Sequence, residues 1–234
     1  MYKTVSKYYD LMYVNDESYQ AEVNKVVSLV EQYKISKGDM LLDIACGTGA
    51  QAEYLQNHFT VTGIDISDEM LDVAKDKVKN ATFINADMCD FDLNDQYDVI
   101  LNLYGSIGHA ESLVHMQTSL KCVYKHLKQG GIFILTPWST KERFNEALVC
   151  RTKTIDTSGF CRMETVRRVS DDKIQIDYHH LISDNLEVTY YQHANFITLF
   201  SESEYENSIK EAGFRILKRL QSDKFRMGAF VCTV

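Results

Sequence analysis

The sequence predicts an α/β protein. Its doubly wound, mainly parallel sheet has seven strands, ends in a C-terminal antiparallel hairpin and carries an inserted antiparallel β-sheet. Three observations predict it. Short apolar strands alternate with amphipathic helices between residues 18 and 136, the order of crossover units in a parallel sheet. The first strand runs into Asp43-Ile-Ala-Cys-Gly-Thr-Gly49, a glycine turn that opens a helix. From residue 149 the apolar period falls to two over four successive segments, the alternation of strands.

The elements follow in order. Residues 18–33 set Tyr19, Val23, Val26, Val27 and Val30 at helical spacing. Met40 to Ala45 is a continuous apolar run, as in a strand buried on both faces. Residues 50–57 form a helix and Val61 to Asp65 a second strand; Ser67 caps a helix over 68–77 that has acids in its first turn. Residues 82–85 and 97–101 are the third and fourth strands, the latter followed by the loop Asn102-Leu-Tyr-Gly-Ser-Ile-Gly-His109. A helix over 113–127 is expected to stop at Gly130-Gly131, before a fifth strand over 132–136. Pro137 then turns the chain towards the inserted strands 149–157, 160–170, 173–183 and 186–199, with turns at Ser158-Gly159, Asp171-Asp172 and Asp184-Asn185. A helix over 202–212 and a hairpin of 214–220 and 228–234 close the sheet. The expected division is therefore a core of 1–148 and 200–234, with residues 1–20 as an N-terminal lid segment and 149–199 as an inserted substrate-binding subdomain.

A net charge of −8 over 234 residues, with no basic tail, argues against a nucleic-acid partner. No apolar run reaches membrane-spanning length, and the N-terminus is too polar for a signal peptide. The six cysteines form no CxxC pair and no zinc-type spacing, so they read as reduced thiols in a cytoplasmic protein, and no metal is expected.

The glycine turn and the acids around it point to a cofactor. This Rossmann-like arrangement places an adenosine-bearing ligand at the turn, with Asp65 at the end of the second strand for a ribose diol. Gly47-Thr-Gly49-Ala-Gln-Ala52 also fits a dinucleotide fingerprint. Asp43 ahead of the glycines and Asp87 after the third strand discriminate. S-adenosylmethionine offers three donors, a diol, an adenine amine and an ammonium, and the three acids can accept them. Asp87 and Met88 would face adenine, Met70 would pad its face, and the Asp43 neighbourhood with glycine-loop carbonyls would take the ammonium. Ala45, Ile66 and Leu103 complete the expected cofactor wall.

Over essentially its whole length the chain resembles class I S-adenosylmethionine-dependent methyltransferases. The glycine motif, Gly-Ile-Asp-Ile-Ser-Asp-Glu-Met-Leu, Ala-Asp-Met-Cys-Asp-Phe and the terminal Gly-Ala-Phe-Val carry the resemblance. Tyr9-Asp10-Leu11, Tyr-Gly-Ser-Ile-Gly-His at 104–109, Pro137-Trp138 and Ile-Thr-Leu-Phe at 197–200 are similar to nucleotide-linked amino-deoxysugar N,N-dimethyltransferases, the desosamine and mycaminose type. The resemblance implies N-methylation of a small amine, carried on a dTDP-linked amino-deoxysugar. Relatives of this type are often dimers, so it also allows a homodimer.

Methyl transfer aligns nucleophile, carbon and sulfur, and the amine must be neutral. His109, in the loop after the fourth strand, suits proton relay by position and by the resemblance; the bland reading is a capping or surface histidine. Five tyrosines lie in the first 19 residues. They are either a docking segment or a lid over the sulfonium. The resemblance assigns Tyr9 and Tyr19 to the cofactor and sets Tyr2 near the reacting amine. It also places Arg226 near a diphosphate, with Tyr104 and Trp138 on the substrate side, although a lone tryptophan is more often simple core. The inserted sheet carries Arg151, Lys153, Arg162, Arg167, Arg168, His179, His180 and His193, either a solvated face or a diphosphate surface.

Rival readings share the cofactor. One is a methyltransferase for glycine-like amines or a peptide N-terminus. A base-amine methyltransferase would carry Asn/Asp-Pro-Pro-Tyr/Phe where this chain has Asn102-Leu-Tyr-Gly. A metal-dependent O-methyltransferase would need a carboxylate cluster. A non-catalytic binding protein would hold the cofactor without turnover.

Overall fold

The computed structural model describes residues 6–13, 16–155, 158–222, 224–225 and 227–234. Helices α1 (Ser6–Tyr13) and α2 (Asp16–Tyr33) precede β1 (Met40–Ile44), α3 (Ala52–Leu55), β2 (Thr60–Asp65), α4 (Asp68–Lys77) and β3 (Thr82–Asn85). Then come β4 (Tyr97–Asn102), a 3-10 turn (Ser106–His109), α5 (Leu113–His126) and β5 (Leu127–Leu135). Strands β6 (Ala147–Ile155), β7 (Ser158–Arg168), β8 (Lys173–Asp184) and β9 (Glu187–Thr198) follow. Helix α6 (Glu202–Glu211) and strands β10 (Arg215–Leu220) and β11 (Ala229–Thr233) complete the chain.

The seven-stranded sheet has the order β10-β11-β5-β4-β1-β2-β3, with β11 antiparallel to both neighbours. Alternate residues of each inner strand serve opposite layers. Leu42, Ile44, Ile100 and Phe133 pack with Leu120 and Val123 of α5 and Ile209 of α6. Leu41, Val99, Leu101, Ile132 and Ile134 pack with Val26 of α2, Leu55 of α3 and Leu71 of α4. This two-sided burial is why these strands read as unbroken apolar runs. β1 lies between β2 and β4, so crossovers leave it in opposite directions. That switch point opens a crevice at the carboxyl ends of the strands.

Strands β6–β9 form a separate antiparallel meander in chain order. Asn185 and Leu186, both left-handed, make the two-residue turn between β8 and β9. One end of the meander packs Val166, Ile174, Ile176 and Ile197 against Trp138 and Phe144. At the other end Phe160 and Ile182 pack on Met12 of α1.

Several expected boundaries move. The helix after the fourth strand stops at His126, and Gly130-Gly131 lie within β5, where the register with β4 shifts. The glycines serve a bulge there: the Gly130 carbonyl accepts from the Ile35 and Ser36 amides. Ser158 and Gly159, expected as a turn, are ladder residues opposite Ile155 and Thr154. The N-terminal tyrosine segment contains a helix, α1, although no local apolar period marks one there.

Candidate functional site

A cavity of about 600 Å³ lies over the carboxyl ends of β1, β2 and β4, beneath the meander and beside α1. Its floor is the glycine turn. Ala45 and Gly47 both take positive φ, 60° and 55°. At Gly47 a Cβ would meet nothing within 4 Å, so the backbone there is bare towards the cavity and a ligand can approach it closely. Gly49 sits behind, against Ala74 and Phe83.

Asp65 fastens the turn to β2: its two carboxylate oxygens accept from the Gly47 amide at 2.9 Å and the Ser67 amide at 3.0 Å. Each oxygen keeps a further lone pair, enough for a diol. Asp43 stands behind it, 2 % exposed, with Oδ2 lacking a hydrogen-bond partner. Burial, and then the charge of Asp65, push its pKa up to about 7. Such a carboxylate is in want of a cation or donor. Gln51, after the glycines, lines the cavity and has a buried, unpartnered Nε2 suited to a carboxylate. Ile66, Met70, Asp87 and Met88 form the adjoining wall, and Asp87 is ordered by accepting from the Cys89 amide at 2.8 Å. The arrangement offers acceptors for a diol, an ammonium and an adenine amine, the three donors expected from the sequence, and a donor for a carboxylate at Gln51.

The loop after β4 forms the next wall. Gly105 (φ 75°) lets it lie against the loop after β5: a Cβ there would fall 2.3 Å from the Trp138 Cα. Tyr104, itself at φ 56°, donates its hydroxyl hydrogen to Glu22 of α2 and rests its ring 5.4 Å from that of Tyr19. His109 ends the 3-10 turn with its side chain open to the cavity. The surrounding protein depresses its pKa below the usual histidine value, with Asp65 pulling weakly the other way. Its ring is therefore neutral at pH 7 and able to accept a proton.

Helix α1 ties floor to roof. Asp10 accepts from Thr48 of the glycine turn and pairs with Lys77 of α4. Tyr8 donates to Asp184 of β8 at 2.9 Å. Tyr9 stacks on Tyr13, and Tyr13 lies under the Arg162 guanidinium. The roof presents Arg162, Glu164, Tyr178, His180, His193 and Asn195.

Of the residues singled out from the sequence, Tyr9, Tyr19, Ala45, Gly47, Asp65, Ile66, Met70, Asp87, Met88, Tyr104, His109 and Trp138 share this one cavity. Asp43, Gly49 and Leu103 lie behind its surface. Leu103 is corrected to a core residue, packed with the apolar layer over α2–α4. Tyr2 and Arg226 lie outside the described residues. Sequence reasoning did not single out Gln51, Glu22 or Tyr178, and it named Tyr13 only as one of the N-terminal tyrosines. Only the register of the meander reveals the roof, because period two does not say which face covers the cavity. Among the described residues no His/Cys/Asp/Glu group could hold a metal ion, and no helix is long and apolar enough to cross a membrane.

Comparison with known proteins places this geometry. Residues 41–131 match a family described as a methyltransferase domain. The chain is 29 % identical, over 95 % of its length and 94 % of the relative, to a dTDP-3-amino-3,4,6-trideoxy-alpha-D-glucopyranose N,N-dimethyltransferase of Streptomyces venezuelae. It is 26 % identical over 83 % of its length to a dTDP-4-amino-2,3,4,6-tetradeoxy-D-glucose N,N-dimethyltransferase of Saccharopolyspora spinosa, covering 78 % of that protein. In structure it is similar to Streptomyces venezuelae DesVI, with a TM-score of 0.90, 25 % identity, and coverage of 100 % of this chain and 98 % of the other. The sugar N-methyltransferase KedS8 from Streptoalloteichus matches with a TM-score of 0.83, 27 % identity, and 92 % and 87 % of the two chains.

Proposed function

As an S-adenosylmethionine-dependent methyltransferase, this protein has a known methyl donor, and we propose that its acceptor is the amino group of a dTDP-linked amino-deoxysugar. The observation that carries the reading is the extent of the likeness. The structural likeness runs through the inserted meander and α1 as well as the cofactor half, and the relatives whose names carry this substrate class match over 95 % and 91 % of the chain.

S-adenosylmethionine supplies an electrophilic methyl on a sulfonium. For holding it, Asp65 offers its second lone pairs to the ribose diol, Asp43 and the Ala45–Gly47 backbone suit the ammonium, and Ile66, Met70, Asp87 and Met88 suit the adenine. Tyr9 and Tyr19 close the N-terminal side. On the acceptor side, Trp138 and Tyr104 shape the wall where the sugar would lie, with Tyr104 fixed by Glu22. The amine must give up a proton around methyl transfer, and His109 is the group for it: open to the cavity, neutral, and in a desolvated setting that keeps it so. Alignment inside a walled cavity supplies much of the remaining rate.

The test is a turnover assay following S-adenosylhomocysteine release, with dTDP-linked 3-amino- and 4-amino-dideoxysugars set against glycine and short peptides. Methylation of the nucleotide sugars alone is the expected result. Turnover confined to glycine or peptides would overturn the acceptor assignment.

A further inference from the structure

The roof of the cavity contains a polar cluster that methyl transfer leaves unused. Arg162 of β7 is 3 % exposed, and its Nε and Nη1 have no hydrogen-bond partners. Opposite it in register on β8 is His180, 1 % exposed, with neither ring nitrogen partnered. Arg151 faces Arg162 from β6 and also lines the cavity. His193 stacks against both His180 and Tyr178, at 5.2 Å and 4.7 Å. The nearest carboxylate to Arg162 is Glu164, whose Oε2 is 3.6 Å from Nε: an ion pair, but too long to satisfy the donor.

A guanidinium does not shed its charge, and buried donors without acceptors are costly. An arginine kept in a roof purely for packing would be expected to have its donors met by backbone or carboxylate oxygens. Here two donors on different edges of one guanidinium, two imidazole rings and a second arginine face a single cavity. A single carboxylate cannot span both edges as a fork. A group with several acceptor oxygens and more than one negative charge can.

We propose that Arg162, supported by Arg151 and His180, holds the diphosphate of the nucleotide sugar, a role that rests on the acceptor reading given above. The inserted meander is then the nucleotide-anchoring surface. The ring centroid of Tyr13 of α1 lies 4.2 Å from the Arg162 guanidinium carbon, so this subsite borders the helix that spans floor and roof.

The experiment uses the full chain and dTDP as the probe, by calorimetry, with S-adenosylhomocysteine as a second ligand that reports on the floor. Arg162→Gln should weaken dTDP roughly thirtyfold or more, Arg162→Lys less, and neither should change S-adenosylhomocysteine affinity. If Arg162→Gln binds dTDP as the wild type does, the diphosphate assignment falls, while methylation of nucleotide sugars by the wild type would leave the acceptor reading standing. If the wild type neither binds dTDP nor methylates any nucleotide sugar, both fall. Should the variants fail to fold, histidine ring resonances of the wild-type protein decide: dTDP should shift those of His180 and His193, and saturation without such a shift overturns the proposal.

Discussion

Thr48 of the glycine turn donates its hydroxyl hydrogen to Asp10 of α1. The contact joins the N-terminal helix to the loop that meets the cofactor, and the same carboxylate pairs with Lys77 of α4. Asp10→Ala should therefore act on binding more than on folding. A partly exposed ion pair contributes about 1 kcal/mol or less to stability, so thermal unfolding should change little. The S-adenosylmethionine KM should rise several-fold, measured by steady-state kinetics beside a melting curve. A collapse in melting temperature with an unchanged KM would contradict this division of labour.

Asp43 is held against its own chemistry. In the folded protein its pKa is pushed up to about 7 by burial and by Asp65, whereas an unfolded aspartate loses its proton near ~4. The folded state thus binds the extra proton across that window, and Asp43 costs the ligand-free protein stability as pH rises from about 4 to 7. Asp43→Asn should raise the melting temperature of the free protein at pH 7 and above, with little effect at pH 4. It should weaken S-adenosylmethionine about tenfold or more by removing the partner of the ammonium. Calorimetric binding and melting curves at the two pH values check both halves.

His109 sets the acid side of the rate profile. The amine must be neutral to attack and His109 neutral to accept its proton, so two protonations switch the reaction off. Logarithmic kcat/KM should fall with unit slope below the amine pKa. It should steepen to slope two below the His109 pKa, which burial places under the usual ~6.5. His109→Asn should lower kcat roughly 10²- to 10⁴-fold, lose the second break and keep its S-adenosylhomocysteine affinity. A second break that survives the substitution would remove His109 from the mechanism.

Gly47 and Gly105 make a controlled pair, since both carry positive φ. Gly105→Ala drives a methyl to 2.3 Å from the Trp138 backbone and should cost about 3 kcal/mol or more. Gly47→Ala meets no protein atom within 4 Å. It should cost about 1 kcal/mol for its left-handed backbone while placing a methyl where the cofactor approaches. Denaturant unfolding should separate the two, and cofactor binding should be the larger loss for Gly47→Ala.

The floor of the site was legible because it is local. Asp43, Gly47, Asp65 and Asp87 each sit at a strand end or in the turn after it, and in a parallel sheet those ends lie side by side. The meander was legible as four strands but not as a binding surface. Arg162 and His180 meet through strand register, and whether their row faces solvent or cavity depends on how the meander sits on the sheet. Helix α1 escaped for another reason. Its eight residues are held by contacts far away in sequence, such as Tyr8 with Asp184 and Asp10 with Thr48, and tertiary contacts of that kind leave no local period. Gly130-Gly131 misled because a glycine pair after a helix reads as a stop, when here it bends the following strand.

The cavity draws its donor wall from one sheet and its roof from another, and the roof is a meander of nearest-neighbour strands. Alternate residues in the middle of the meander line the cavity: Arg162, Glu164 and Val166 of β7, Ile176, Tyr178 and His180 of β8, and His193, Asn195 and Ile197 of β9. The roof is thereby written in a two-residue reading frame, separable from the sheet that carries the floor. A lineage, or an engineer, can rewrite Glu164, Tyr178, His193 or Asn195 and reshape that roof while leaving Asp43, Asp65 and Asp87 of the floor untouched.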